Sequence, residues 1–139
     1  MKPFSLLFGM VLAVAVIAIL LLIFGVRAPQ PKELTYDAGA VVTERGTVQE
    51  VVDYACPASL GELGSHLVLK TDHDTIHVHL APARVVRSVG FTFHPGDEIE
   101  VVGSRVTYRG EAVIARDITR GQEVFRLRDA SGKLLIQQH

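Results

Sequence analysis

The sequence contains no tryptophan and only one cysteine, Cys56, among its 139 residues. A single thiol excludes an intramolecular disulfide, so the fold must be stabilised by an apolar core. Aromatic residues are also sparse, at 6% of the chain. A chain with so few aromatic side chains lacks the stacking platforms by which single-strand binders hold successive bases.

Catalytic signatures are missing as well. The sequence has no Gly-x-Ser-x-Gly, His-Glu-x-x-His or Cys-x-x-Cys motif, and no glycine-rich loop of the kind that holds phosphates. Ser65 and His66 are adjacent in the chain, and neighbours on a strand point to opposite faces, so they predict no nucleophile–base pair. We therefore expect a protein that is not an enzyme.

Charge is unevenly distributed along the chain. From residue 33 onward there are 11 basic and 15 acidic side chains, a net charge of −4 with histidine neutral. Most of the acids lie in residues 33–102, whereas residues 103–139 are basic. A net negative module is poorly suited to a phosphate backbone, so nucleic-acid binding is not expected.

One long apolar run begins the chain. Residues 4–26 carry no charge and would span about 34 Å as a helix, which is enough to cross a bilayer. The run is longer than the apolar core of a cleaved signal, and Arg27 and Pro29 make a poor cleavage site. We predict a single-pass transmembrane anchor over residues 1–27, in contact with the lipid bilayer through residues 4–26.

The anchor also suggests where the rest of the chain lies. The segment before the apolar run is only three residues long, and N-terminal anchors of this kind usually deliver the following domain across the membrane. We therefore predict a domain on the periplasmic side of the cell inner membrane, or of an internal membrane derived from it. Residues 28–40 are the predicted linker, which begins Ala-Pro-Gln-Pro-Lys and is typical of an extended spacer. Residues 41–139 are the predicted domain.

Short β-rich runs between turn signals fill the chain after residue 33, without long helical periodicity. The runs predict five strands, at Val41–Val52, His66–Thr71, Ile76–Leu80, Asp97–Val106 and Ala112–Ile118. The only helix-capable stretch is Pro82–Val89, and Gly46 is expected at a bulge or a close approach. A final hairpin is predicted from Val124–Arg128 and Lys133–Ile136. This order is that of the OB-fold, a mostly β, five-stranded Greek-key barrel with one short helix.

A more specific resemblance lies between Phe93 and Ile118. Gly96-Asp97, followed by Ile99–Gly103 and then by Glu111–Ile114, resembles the fourth and fifth strands of small exported bacterial OB-fold proteins. The resemblance extends over residues 41–118. It rests on turn and strand motifs, so it implies a fold far more than a function.

An anchor followed by an exported OB barrel is also the architecture of the haem chaperone of cytochrome c maturation. In that family, haem is attached through a histidine in a His-x-x-x-Tyr context after the barrel. The corresponding residues here, 115–121, contain neither histidine nor tyrosine. We therefore do not expect covalent haem carriage.

The most chemically informative segment is His66–Leu80, where histidines alternate with apolar residues. With a turn at Asp72–Thr75, Leu69 is expected to face Val78, which places one apolar face of both strands in the core. The opposite face of the two strands then carries the imidazoles of His66, His77 and His79. Asp72, His73 and Asp74 are interpreted as turn residues rather than as a cation site.

Three imidazoles on one face are a candidate metal site. Imidazole suits transition metals such as Zn, Cu or Fe, which take three or four ligands of this kind. The alternative is a solvated strand face whose histidines bind nothing, and Lys70 on that face opposes cation binding. Cys56 could add a thiolate from the preceding loop, but a lone, partly buried thiol is the favoured interpretation.

Basic side chains recur in the last third of the chain. Arg126 and Arg128 alternate with Phe125 and Leu127, so both are predicted to face outward from the final hairpin. With Arg116 they are a candidate contact for anionic lipid headgroups or for a membrane-protein partner. The alternative is a solvated face, because acidic residues are interleaved.

The sequence thus predicts a membrane-anchored, non-catalytic binding or accessory module that handles a transition-metal ion on one sheet face. Two alternatives stay open. One is an assembly or scaffold protein that docks on a larger membrane complex. The other is an OB domain that binds a nucleic acid or an oligosaccharide.

Overall fold

A computed structural model describes residues 3–25, 34–59 and 61–135, and the chain divides into two compact units, residues 1–32 and 33–139. The first unit contains helix α1 (Pro3–Ile23), whose apolar stretch Phe4–Ile23 is exposed along its whole length. A fully exposed, uncharged helix of this length is a candidate membrane anchor. Residues 28–33 of the predicted linker lie outside the described residues.

The second unit is mostly β. Its elements are β1 (Val41–Ala55), β2 (Leu63–Lys70), β3 (Thr75–Pro82), α2 (Ala83–Val89), β4 (Glu98–Thr107), β5 (Glu111–Arg120) and β6 (Glu123–Arg126). A single 3-10 turn, Pro57–Ser59, follows β1. The five predicted strands and the short helix are confirmed, with boundaries that differ by at most three residues.

The strands close into a barrel. β1 pairs antiparallel with β2 and with β4, β2 pairs with β3, and β4 pairs with β5. β5 then returns to β3, where His77–His79 runs parallel to Ala112–Ile114 and closes the barrel. Five strands in this order, with a helix between β3 and β4, are the OB-fold. β6 adds a short sixth strand along the end of β5.

The interior of the barrel is apolar because each strand turns alternate residues inward. Its most buried side chains are Leu67, Leu69, Val78, Leu80, Val101 and Ile118. Helix α2 packs on β2 and β3 through Val85 and Val86 and ends at Gly90, whose φ of 71° is left-handed. The core therefore lies directly behind the strand face that carries the histidines.

Gly46 marks a close approach between β1 and β2. A Cβ built at this position would overlap the carbonyl oxygen of Lys70, so the prediction of a close approach is confirmed. The irregularity in the β1–β2 pairing lies further along, between Val48 and Glu50. At the start of the domain, the amide of Asp37 donates to the hydroxyl of Ser104 at 2.9 Å, so the end of the predicted linker already packs on the barrel.

The turn between β2 and β3 is held by Thr71. Its amide donates to the carbonyl of Asp74 at 2.8 Å, and its hydroxyl accepts from the amides of His73 and Asp74. The interpretation of this segment as a turn is thus confirmed, although the organising side chain is a threonine rather than an aspartate.

The final hairpin differs from the prediction. Only one isolated bridge, between Arg128 and Leu134, joins its two arms in the described residues, and Ile136 lies outside them. The amides of Leu127 and Arg128 both donate to the carbonyl of Arg116, at 2.7 and 3.3 Å, which interrupts the alternation of the strand. Both side chains are consequently buried, so the prediction that Arg128 faces outward is wrong.

Candidate metal centre

The pairing of β2 with β3 brings two histidines face to face. The turn closes at Thr71–Asp74 rather than at 72–75, so Leu69 pairs with Ile76 and the register differs by two residues from the expected one. A shift of two preserves which face each side chain occupies. In this register, next to a bulge at Ser65, His66 lies directly opposite His79.

Cys56 completes a group of three. Just past the end of β1, it places its Sγ 3.3 Å from Nε2 of His66 and 3.4 Å from Nδ1 of His79. The two ring nitrogens are 2.6 Å apart. These three ligand atoms lie within 4.8 Å of one another and form the only such group in the described part of the chain.

His77 lies outside this group. Its backbone pairs with Val68 of β2 and Ala112 of β5, and its side chain is half-buried. The structure therefore brings together two of the three predicted ligands, His66 and His79, and adds Cys56. A role for His77 in metal binding stays a prediction.

The cluster is covered rather than solvated. His66 is 0% exposed, and His79 and Cys56 are each 3% exposed. The ring of Tyr54 stacks on His66, with centroids 3.7 Å apart and planes 7° from parallel, and Tyr108 lies 5.9 Å from His79. The alternative of an ordinary solvated strand face is therefore wrong for His66 and His79.

Burial sets the protonation of both rings. It lowers the pKa of His66 to about 4, although the nearby carbonyls of Gly64 and Val52 oppose the change. It lowers the pKa of His79 to about 3, with further contributions from His66 and the Arg128 guanidinium. Both imidazoles are thus neutral at pH 7, which is the form that binds metal ions.

The geometry of the three atoms suits a small ion. In a tetrahedral zinc site with bonds of about 2.0–2.3 Å, neighbouring ligand atoms are roughly 3.3–3.6 Å apart. The two sulfur–nitrogen distances are in this range, whereas the two nitrogens, at 2.6 Å, must separate by under about 1 Å. Without an ion, one ring must donate N–H to the other, since two bare lone pairs would repel.

The turn that carries Cys56 needs a glycine opposite it. A Cβ at Gly64 would overlap the hydroxyl of Ser59 and lie 3.4 Å from Sγ of Cys56. The Ser59 hydroxyl is itself 3.3 Å from that sulfur. The absence of a side chain at residue 64 thus lets the cysteine turn fold against β2.

The predicted arginine contact is not a continuous exposed face. Arg116 pairs with Asp117 at 3.0 Å, and Arg126, whose side chain is 76% exposed, approaches the same carboxylate at 4.0 Å. Arg128 is only 8% exposed and donates through Nη1 to the carbonyls of Leu80 and Ala115 at 2.7 and 2.5 Å. Of the three, Arg126 alone projects freely into solvent.

Solved structures with a similar chain path include proteins described as single-stranded DNA-binding. The similar structures also include the N-terminal domain of PriB from Thermoanaerobacter tencongensis, at 21% identity and TM-score 0.44, covering 61% of this chain and 99% of that one. A small single-stranded DNA-binding protein from Streptomyces coelicolor has 15% identity and TM-score 0.43, covering 63% and 93%. At such values no ligand is carried over to this chain.

A family comparison is more informative. No curated protein matches the chain. The model of the MamS/MamX magnetosome protein family, however, matches residues 40–125. That range includes the whole barrel and Cys56, His66 and His79. Because the match covers more than half of the chain, the protein belongs to the MamS/MamX magnetosome protein family.

Proposed function

We propose that this protein is a non-catalytic accessory protein of the magnetosome membrane, which binds a transition-metal ion through Cys56, His66 and His79. The observation that carries the proposal is the convergence of one sulfur and two neutral imidazole nitrogens in a buried cluster. Buried polar groups normally find partners, and these three have few besides one another.

The ligand set favours particular ions. One thiolate and two imidazoles form a soft to borderline donor set that suits zinc and copper, whereas calcium and magnesium prefer oxygen ligands. Mononuclear iron(II) sites usually include a carboxylate, and the described cluster contains none. Zinc and copper are therefore the first ions to test, and iron is the third.

Three protein ligands support handling of the ion rather than a purely structural role. Structural zinc sites usually have four protein ligands, whereas an open fourth position lets another donor bind. An accessory protein that passes an ion to or from another carrier needs such a position. The proposal places the barrel on the periplasmic side, because an uncharged apolar helix ahead of a folded domain usually delivers that domain across the membrane.

Membership of a magnetosome protein family is consistent with partners in a membrane-associated complex. The three arginines predicted as a contact, however, do not form a continuous docking surface. Arg116 and Arg126 share Asp117 as counter-ion, and Arg128 is buried. No contact described in the barrel favours docking or nucleic-acid binding over metal binding. We therefore propose metal binding alone as the activity of the barrel.

Metal titration of the full-length protein in detergent micelles tests the proposal. Calorimetry with Zn²⁺ and Cu²⁺ should show one ion per chain, and Co²⁺ should give the thiolate-to-metal absorption band of a cysteine ligand. Replacing Cys56 by Ser, or His79 by Gln, should weaken binding at least tenfold and remove or alter that band.

His77→Gln and His73→Gln are the matched controls, because each removes an imidazole outside the cluster. Both should bind zinc as the unchanged protein does. Equal losses in His77→Gln and His79→Gln would instead support the three-histidine site expected from the sequence. Undiminished zinc affinity in Cys56→Ser would refute the cluster as the binding site.

A further inference from the structure

Arg128 is a buried cation without a carboxylate partner in the described part of the chain. Its guanidinium donates through Nη1 to two backbone carbonyls, which are neutral acceptors. Burial lowers its pKa to about 10, so it still carries its charge at pH 7. A buried charge without a counter-ion lowers the stability of the fold, so its presence calls for a functional explanation.

The other arginines of the barrel show how unusual this is. All but Arg109 and Arg128 pair with a described carboxylate, namely Arg45, Arg84, Arg87, Arg105, Arg116, Arg120 and Arg126. Arg109 is exposed and lies over the rings of Tyr54 and Tyr108, so water screens it. Arg128 is the one that is both buried and uncompensated among the described residues.

A cavity next to the metal centre adjoins this charge. It has a volume of about 390 Å³, and its walls include Arg128, His79, Ser59 and Ser65. Both serines are largely buried. The Ser59 hydroxyl bonds to Sγ of Cys56, and the Ser65 hydroxyl is a hydrogen-bond donor suited to an anion. At the rim, Arg84 and Glu62 neutralise each other at 3.1 Å, so the inner charge stays positive.

We infer that this cavity binds a small oxyanion, a carboxylate or a phosphate, beside the metal centre. Arg128 supplies the opposite charge, and the Ser65 hydroxyl donates to an oxygen of the anion. The volume is within the range of small-ligand pockets. Because His79 lines the same cavity, an oxygen of the anion fills the fourth position of the ion; this second part rests on the proposed function.

An anion in this cavity determines the form in which the metal is exchanged. The metal enters or leaves as a complex with a small organic acid or with phosphate, not as a bare ion. Thiolate, imidazole and anionic oxygen together also neutralise a divalent ion, which lowers the cost of holding it in a buried site.

Oxyanion binding is measured on the full-length protein in micelles, metal-free and zinc-loaded, with succinate and with inorganic phosphate as probes. We expect calorimetry to detect binding of one of the two probes to the metal-free protein. Zinc loading should tighten it at least tenfold, because the anion then gains a metal bond. Whichever probe binds more tightly identifies the class as carboxylate or phosphate.

Arg128→Gln should weaken binding of that probe at least tenfold, whereas Arg126→Gln removes an exposed arginine two residues away and should change nothing. Ser65→Ala, a milder change, should weaken it severalfold and carries the test if Arg128→Gln does not fold. Equal effects of Arg126→Gln and Arg128→Gln would overturn the inference. A protein that binds zinc but neither succinate nor phosphate would also overturn the inference, although the proposed function would stand. Anion binding without any zinc binding would keep the Arg128 site and refute the metal proposal.

Discussion

Mild acid is expected to destabilise the metal-free barrel through His66 and His79 before its carboxylates titrate. Burial holds the pKa of these rings at about 4 and about 3, against 6.5 in an unfolded chain. Between pH 6.5 and 4 the unfolded chain therefore binds protons that the folded chain does not. Because the unfolded state binds more protons in this window, stability rises with pH there and is lost as the pH falls.

The size of the effect follows from the shifts. One pKa unit corresponds to about 1.4 kcal/mol, so His66 alone costs roughly 3 kcal/mol of unfolding free energy between pH 7 and pH 4. His79 adds a further cost, part of which is repulsion from the protonated His66 ring 2.6 Å away. With both rings contributing, the slope approaches about 2.7 kcal/mol per pH unit near pH 5. For a domain of ordinary stability, about 5–15 kcal/mol, this is a large fraction.

Urea denaturation at several pH values between 7.5 and 4.5 measures the slope, with tyrosine fluorescence as the signal because the chain has no tryptophan. A variant with both His66→Gln and His79→Gln should have a much shallower slope, and His73→Gln should keep the original one. The hydrogen bonds that lower the pKa of Asp97 and Asp129 matter mainly below about pH 4, beyond the acid end of this window. A free energy that stays constant from pH 7 to 4.5 would refute the reasoning.

Other substitutions test the metal centre and the barrel separately. Zinc at one hundred times its dissociation constant should raise the unfolding free energy by about 2.7 kcal/mol, and Cys56→Ser should lose most of that gain in thermal melts. Zinc should also slow alkylation of Cys56 by iodoacetamide, because a coordinated thiolate is a poor nucleophile; an unchanged rate would contradict its role as a ligand. Leu67→Ala should cost about 2–5 kcal/mol in urea denaturation, since Leu67 is fully buried. Gly46→Ala should destabilise the β1–β2 pairing by more than about 1 kcal/mol, because its Cβ would overlap the carbonyl of Lys70.

The strands were predictable because they are rich in β-branched and apolar residues and are separated by turn residues. The register of β2 and β3 was not, since it depends on where the turn closes. The turn is closed by main-chain and side-chain hydrogen bonds of Thr71, which local sequence patterns do not predict. Because the error was an even number of residues, the face that carries His66 and His79 was still predicted correctly.

The place of Cys56 beside the histidines and the burial of Arg128 did not follow from the sequence, and both have the same cause. Cys56 reaches the histidines only because β1 continues to Ala55 and a 3-10 turn folds the chain back over β2. Gly64, with no Cβ, was the one signal in the sequence that a neighbour must come close there. Arg128 was placed outward by simple alternation, and the interruption beside Leu127 depends on a carbonyl from a different strand. Such irregularities arise from tertiary contacts and leave little trace in local patterning.

The three ligands occupy a single stretch, residues 56–79, on the β1–β2–β3 meander. The parallel pairing of β3 with β5 forms only after residues 112–114 have emerged, and β5 itself contributes no ligand. A chain that emerges N-terminus first during synthesis therefore presents a complete ligand set before the barrel can close. Metal capture would then precede closure and favour it, so pulsed hydrogen exchange with zinc present should protect β2 and β3 ahead of β5.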